Sequence, residues 1–155
     1  MSTIRVVHYL NQFFSGIGAE EHAGLGPAKK SGVVGPGMAL QQALGEGAQI
    51  VATVYCGDNY ANEQANAIDA ILALVSEERP DILIAGPAFA SGRYGLACGE
   101  LCVRAQAALG IVAVTGMHPD NPGVDLYRTK VYIARTRESA VGMSDAMKVM
   151  ARLAL

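Results

Sequence analysis

The feature that most constrains the fold is the alternation of short, β-branched apolar runs with longer segments of helical periodicity. In one such segment, Ile68, Ile71, Leu72 and Val75 recur at helical spacing. Strands that alternate with helices predict a mainly parallel sheet covered on both faces. We therefore predict an α/β fold, a five-stranded three-layer sandwich of the Rossmann or flavodoxin type. The predicted strands are 3–10, 49–56, 81–85, 111–115 and 130–136. A long loop is predicted over 11–35, and one helix, capped by Asn59 or Asn62, is predicted between the second and third strands. A further helix is predicted over 92–109 with Gly110 as its stop, and Ser139 is predicted to cap the last helix.

Length and composition indicate one folded domain over residues 1–155. The chain is 51% apolar and only 17% charged, against a usual charged share of about 25%, which excludes a disordered segment. Twelve basic and fourteen acidic residues give a net charge of −2, and without a basic run we expect no binding to nucleic acid. So little charge predicts that part of the surface contacts another protein.

The sequence predicts a cytoplasmic protein with free thiols. No run approaches the roughly 20 apolar residues of a membrane span, and residues 1–9 lack the pattern of a signal peptide. Three cysteines are an odd number, which does not suggest a disulfide framework. Cys98 and Cys102 are predicted on one helical face and unbonded, because that spacing does not bring two sulfurs to disulfide distance. No histidine stands at ligand spacing from them, so no metal site is expected.

Chemically capable residues follow four of the predicted strands. In open α/β sheets, ligands bind beyond the carboxyl ends of the strands, so these residues are expected to line one cleft. The competing interpretation is ordinary turn chemistry, since such turns are rich in Gly, Asn and Asp. The presence of Cys, Arg, Tyr and His favours a site. The candidates are Asn11, Cys56, Asp58, Gly86, Phe89, Arg93, Tyr94, Met117 and His118.

The stretch 86–95 is the most informative of these segments. Its glycines let the backbone approach a ligand, and the start of the following helix presents free N–H groups. With Arg93, this arrangement would suit a carboxylate or a phosphate. The alternative is a helix start with an exposed arginine. Neither the G-x-G-x-x-G dinucleotide fingerprint nor a phosphate-binding loop is present.

Three candidates have side chains suited to catalysis. Cys56 ends a strand, where a nearby helix N-terminus would lower its pKa and produce a thiolate; the competing interpretation, which the sequence favours, is a plain buried cysteine. His118 directly follows a strand and is the best-placed acid or base. Asp58 or His118 would hold a substrate amine or move its proton.

The chain also resembles a known family. The segments VVHYLNQFFSGIGAEE, CGDN, GPAF, GRYG and NPGVD closely resemble component B of the glycine, sarcosine and betaine reductases, in the N-terminal part of its large selenoprotein subunit. The resemblance extends over nearly the whole chain. Ala90-Ser91-Gly92 and His118-Pro119-Asp120 depart from the family pattern. The part of the family subunit that carries selenocysteine has no counterpart here, which suggests a truncated chain or a split subunit.

The resemblance implies a multi-subunit oxidoreductase that cleaves a C–N bond of a small amino-acid-type substrate with a thiol donor. It implies that a selenocysteine or cysteine centre, and in the glycine system a pyruvoyl group, reside on partner chains of a hetero-oligomer. This chain would carry no cofactor and would not act alone. Two alternatives stay open: a non-catalytic assembly or binding module, and a redirected thiol-dependent enzyme that uses Cys56 as its nucleophile.

Overall fold

The computed structural model describes residues 3–155, in which six strands form one sheet flanked by six helices. The strands are β1 (Ile4–Asn11), β2 (Ala28–Ser31), β3 (Ala48–Cys56), β4 (Ile82–Phe89), β5 (Val112–Met117) and β6 (Tyr132–Arg135). The helices are α1 (Gly37–Leu44), α2 (Asp58–Glu63), α3 (Ala67–Glu77), α4 (Gly92–Leu109), α5 (Pro122–Tyr127) and α6 (Met143–Ala154).

The sheet has the strand order β2-β3-β1-β4-β5-β6, in which only β2 is antiparallel to its neighbour. The mainly parallel sheet is thus confirmed, and the predicted number of strands is wrong by one. The additional strand, β2, lies in a segment predicted as a loop. Its sequence AKKS is half-buried or exposed. A short polar edge strand buries no alternating apolar face, so it carries no periodic signal.

The apolar strands are buried because helices cover both faces of the sheet. Every residue of β4 is buried. On one face, α3 and α4 pack against Val7 and Leu83. On the other face, α1 and α6 pack against Val6 and Ile84. The three-layer sandwich predicted from the sequence is confirmed, since strands covered on both faces have near-continuous apolar sequences.

Helix boundaries agree with the sequence at α4 and differ from it at α5 and α6. The predicted helix 92–109 is observed as α4 and ends at Gly110, whose φ of +64° suits a glycine after a helix. Ser139, predicted to cap the last helix, instead caps a single 3-10 turn that precedes α6. The unpredicted helix α5 begins after Asn121, whose side chain accepts the Gly123 N–H.

The winding of the chain reverses between β1 and β4. The five parallel strands lie in the order β3-β1-β4-β5-β6, which is the flavodoxin-like order of a doubly wound sheet. The connection from β1 leads to one side of the sheet, and the connection from β3 returns past β1 to β4. Ligands of such folds bind at this reversal, in the crevice beyond the carboxyl ends of the two strands.

Two further findings concern the state of the three thiols and whether any helix could span a membrane. All three cysteines are buried and free, so the prediction that Cys98 and Cys102 are not bonded to one another is confirmed. Within residues 3–155, no helix combines the length and apolar character needed to cross a membrane.

Candidate functional site

A cleft of about 350 Å³ opens at the carboxyl ends of β1 and β4. Its walls come from the segments that follow β1, β3, β4 and β6, which the parallel topology brings to one edge of the sheet. The lining residues are Asn11, Gln12, Phe13, Phe14, Ala19, Glu20, Asp58, Ala88, Phe89, Ser91, Glu138, Ser139 and Ala140.

Asp58 is the most constrained charged residue of the cleft. It is only 4% exposed, and its Oδ2 accepts a 3.0 Å hydrogen bond from Asn11 Nδ2. Its backbone N–H donates to Gln12 Oε1 at 3.0 Å, and Asn11 is itself held because its Oδ1 accepts the Phe14 N–H at 2.9 Å. The second carboxylate oxygen, Oδ1, is buried without a hydrogen-bond partner. One side of the carboxylate is therefore fixed and the other is unsatisfied.

Electrostatic effects on Asp58 oppose one another. Burial raises the pKa of the carboxyl, while the hydrogen bond from Asn11 and the charge of Arg93 lower it and the charge of Glu20 raises it. The net shift is upward, so the ionised form lacks full compensation in the folded chain. A ligand that brings positive charge to Asp58 would supply this compensation.

Aromatic side chains form the apolar part of the cleft. The Phe14 ring lies 5.2 Å from the Phe13 ring and 6.1 Å from the Phe89 ring, measured between centroids. Phe89 has a φ of +53°, in the left-handed region that non-glycine residues rarely occupy. Such strain concentrates at functional sites, and here it occurs where β4 meets the cleft.

Arg93 does not line the cleft. Its guanidinium contacts the Asn59 side chain and forms an ion pair with Glu20. Glu20 belongs to a 3-10 turn in the long segment after β1. Arg93 therefore ties that segment to the start of α4, and its charge is already compensated.

Two further candidates, Gly86 and Tyr94, lie behind the cleft. Gly86 uses its carbonyl to accept a 2.7 Å hydrogen bond from His8 Nε2. Burial lowers the pKa of His8 to about 4, so the imidazole is neutral and Nε2 is the protonated nitrogen. Tyr94 is fully buried, and its ring lies edge-on to that of Tyr9. These residues support the cleft from the core.

Cys56 differs from the activated thiol that its position suggested. Burial, and then the nearby charge of Asp58, raise the pKa of its thiol to about 12. Its Sγ donates to the Leu25 carbonyl at 3.5 Å. The expectation of a lowered pKa is wrong, because the desolvation of a thiolate outweighs any effect of the adjacent short helix. The structure favours the competing interpretation, a plain buried cysteine.

Met117 and His118 lie beside the cleft and not in it. Met117 is buried and lines a separate pocket of about 220 Å³. His118 lines a neighbouring depression together with Arg135 and Arg137, and its Nδ1 accepts the Asp120 N–H at 3.1 Å. The two depressions share Glu138 and Ser139. Of the nine candidates, the structure brings Asn11, Asp58 and Phe89 together.

Other residues that line the cleft are not among the nine candidates predicted from the sequence. Gln12 and Phe14 follow Asn11 at the carboxyl end of β1 and therefore satisfy the strand-end rule, by which residues that follow a strand are expected at the ligand-binding edge of the sheet. The segment 138–140 follows the last strand, where the sequence predicts a helix cap at Ser139. The strand-end rule, applied to every strand, includes both groups.

Comparisons with known proteins cover the whole described chain. A family model described as glycine/sarcosine/betaine reductase selenoprotein B matches residues 3–155. Glycine reductase complex component B subunit gamma of Symbiobacterium thermophilum is 52% identical over 97% of this chain and 35% of its own length. Sarcosine reductase complex component B subunit beta of Peptoclostridium acidaminophilum is 47% identical over 100% of this chain and 36% of its own.

A third relative is named for betaine reductase. Betaine reductase complex component B subunit beta of Peptoclostridium acidaminophilum is 38% identical over 97% of this chain and 34% of its own length. The chain thus spans about a third of the length of the relatives that it matches. No solved structure matches it significantly.

Proposed function

This chain belongs to the glycine/sarcosine/betaine reductase selenoprotein B family, and on that premise we propose that it positions the substrate in a component B reductase complex. The substrate would be a small amino-acid-type molecule whose C–N bond is cleaved reductively. The family names identify the class of complex; the reaction and the role of this chain in it are our proposal.

The observation that carries the proposal is the cleft at the β1/β4 reversal, with a fixed carboxylate at Asp58 and phenylalanine walls. A volume of about 350 Å³ accommodates a molecule of a few non-hydrogen atoms and leaves room for an attacking group. Holding a substrate in one orientation lowers the barrier of the following step, because translational and rotational freedom is lost on binding.

We propose that the nucleophile comes from a partner segment. None of the three cysteines lines the cleft, and burial raises the pKa of each. A selenol or thiol from a partner would attack the carbon that carries the amine. The nucleophile–carbon bond forms as the C–N bond breaks, and the amine leaves with the bonding electron pair and takes up a proton. Any pyruvoyl group would also reside on a partner chain.

A reaction that depends on a reduced thiol or selenol is suited to a reducing compartment. We therefore propose a cytoplasmic hetero-oligomer in which this chain contributes binding and orientation.

Obstruction of the cleft tests the proposal. Ala140 is exposed and lines the cleft, so Ala140→Phe would fill part of it. Ala108, exposed near the far end of α4, provides the matched control Ala108→Phe. In the complex purified with its partners, amine release is measured against substrate concentration. We expect Ala140→Phe to raise KM at least tenfold and Ala108→Phe to leave it unchanged. Equal kinetics for the two variants would refute the proposed site.

A specific observation favours a second function, assembly of the complex. Leu126 on α5 and Tyr132 on the edge strand β6 are 56% and 63% exposed, and exposed apolar side chains of this size are typical of a protein contact. If this chain only organises the complex, Tyr132→Ser would release it from its partners while Ala140→Phe would leave amine release unchanged.

A further inference from the structure

The charge of the cleft indicates which end of a zwitterionic substrate it binds. Its acidic residues are Glu20, Asp58 and Glu138, and among the described residues that line it there is no Lys, Arg or His. Glu20 is paired with Arg93, and Glu138 is exposed at the rim. The carboxylate that remains inside the cleft is that of Asp58.

The uncompensated carboxylate of Asp58 favours the binding of a cation in the cleft. A buried carboxylate without full compensation of its charge costs free energy, part of which a cationic ligand recovers. Oδ1 of Asp58 is buried without a hydrogen-bond partner, while Asn11 and Gln12 prevent the side chain and backbone from turning away. A substrate carboxylate brought to the same place would meet a like charge.

Arg93 offers no free anchor for a carboxylate. Arg93 pairs with Glu20 and Asn59 at the side of the cleft. To bind a carboxylate, it would have to give up both contacts. The arginine at the start of α4, predicted from the sequence to neutralise a carboxylate, is thus engaged within the chain.

The phenylalanine walls suit an ammonium group with or without methyl groups. Cations bind favourably to the faces of aromatic rings, and Phe14 packs against Phe89, with ring centroids 6.1 Å apart, so that the two form one aromatic surface of the cleft. Glycine, sarcosine and betaine, which appear in the relatives' names, differ in the number of methyl groups on nitrogen. A carboxylate combined with aromatic walls recognises the positive charge without requiring a fixed number of N–H donors.

We propose that the cleft is an ammonium subsite, in which Asp58 is the counter-ion and Phe14 and Phe89 are the apolar walls. The carboxylate of the substrate then lies towards the mouth of the cleft, away from Asp58. This inference rests on the proposed function, because it assigns the orientation of the substrate that the cleft is proposed to bind.

The experiment separates the two ends of the substrate. Tetramethylammonium carries only the cation, acetate carries only the carboxylate, and betaine carries both. Each is titrated into the 15N-labelled chain, and the side-chain amide signals of Asn11, which hydrogen-bonds Asp58, report binding locally. Asp58→Asn removes the charge with little change in shape. Asp69→Asn makes the same change at an exposed position on α3 and serves as the matched control.

We expect tetramethylammonium and betaine to shift the Asn11 signals and acetate to leave them in place. Asp58→Asn should weaken tetramethylammonium binding at least tenfold, and Asp69→Asn should not change it. Phe14→Leu, which keeps an apolar side chain, should weaken it several-fold and provides a second variant if Asp58→Asn does not fold. Shifts caused by betaine and acetate but not by tetramethylammonium would overturn the inference and retain the proposed site. No shift with any of the three probes would overturn both.

Discussion

Neutralising Asp58 should stabilise the folded chain while it removes cation binding. Asp58→Asn keeps the shape of the side chain and an oxygen to accept the hydrogen bond from Asn11. It removes a charge that is 4% exposed and has one unpartnered oxygen. An unsatisfied buried polar group costs about 1–3 kcal/mol, and the amide retains part of this cost. We therefore expect the free energy of unfolding at pH 7 to rise by about 1 kcal/mol.

The stability difference between Asp58→Asn and the parent chain should depend on pH. Burial raises the pKa of Asp58 in the folded chain above its usual value of 3.8. The folded state therefore holds this proton more tightly than the unfolded state. The resulting stabilisation is fully present below the unfolded pKa and is lost as the pH rises through the folded pKa. The stability advantage of Asp58→Asn should accordingly grow as the pH rises from about 4 through the raised pKa, and then become constant.

Urea denaturation of both chains from pH 4 to pH 8 measures this difference directly. Asp69→Asn again provides the control, because its exposed carboxylate pairs with Arg104 at the surface. A variant that is less stable than the parent at pH 7 would refute the reasoning. So would an advantage that does not change with pH, since it would not arise from the carboxyl charge.

Three other predictions concern the support of the cleft, the thiols and the helix packing. Arg93→Met should separate the Glu20 segment from α4, lower stability by about 0.2–1 kcal/mol as for other exposed ion pairs, and increase proteolytic cleavage there; unchanged cleavage would contradict this. The three cysteines should resist alkylation by iodoacetamide at pH 8 in the folded chain because burial raises the pKa of their thiols. Rapid alkylation, measured by mass spectrometry, would contradict this prediction. Gly99→Ala should destabilise the chain by about 1–3 kcal/mol because its Cβ would overlap the Tyr127 ring, whereas Gly24→Ala, with open space, should not; equal melting temperatures would count against this.

Most of the fold could be predicted because its elements depend on local patterns. The buried strands carry continuous apolar runs, and α4 ends at Gly110 because a glycine tolerates the left-handed conformation there. The edge strand β2 could not be predicted, since its pairing with β3 depends on the position of a distant strand and leaves no apolar pattern in AKKS. The single predicted helix after β3 is divided into α2 and α3 at Asn66, whose φ is +65°, and no glycine or proline marks this division.

The candidate site was predictable in its location and less so in its character. The strand-end rule found Asn11, Asp58 and Phe89 because it depends only on strand order and direction. It also included Cys56, whose burial and raised pKa result from packing that a single sequence does not show.

The sign of the charge in the cleft depends on a contact between residues that are 73 positions apart. The sequence places Arg93 at the start of a helix after a glycine-rich strand end, which predicts an anion site. The fold brings Glu20 to that arginine, and the pair leaves Asp58 as the charge inside the cleft. The sequence alone therefore predicts an anionic ligand at Arg93, whereas the structure with its Arg93–Glu20 ion pair favours a cationic ligand at Asp58. The strand-end rule identifies where a ligand binds, while the pairing of charges across the fold decides which end of the ligand enters.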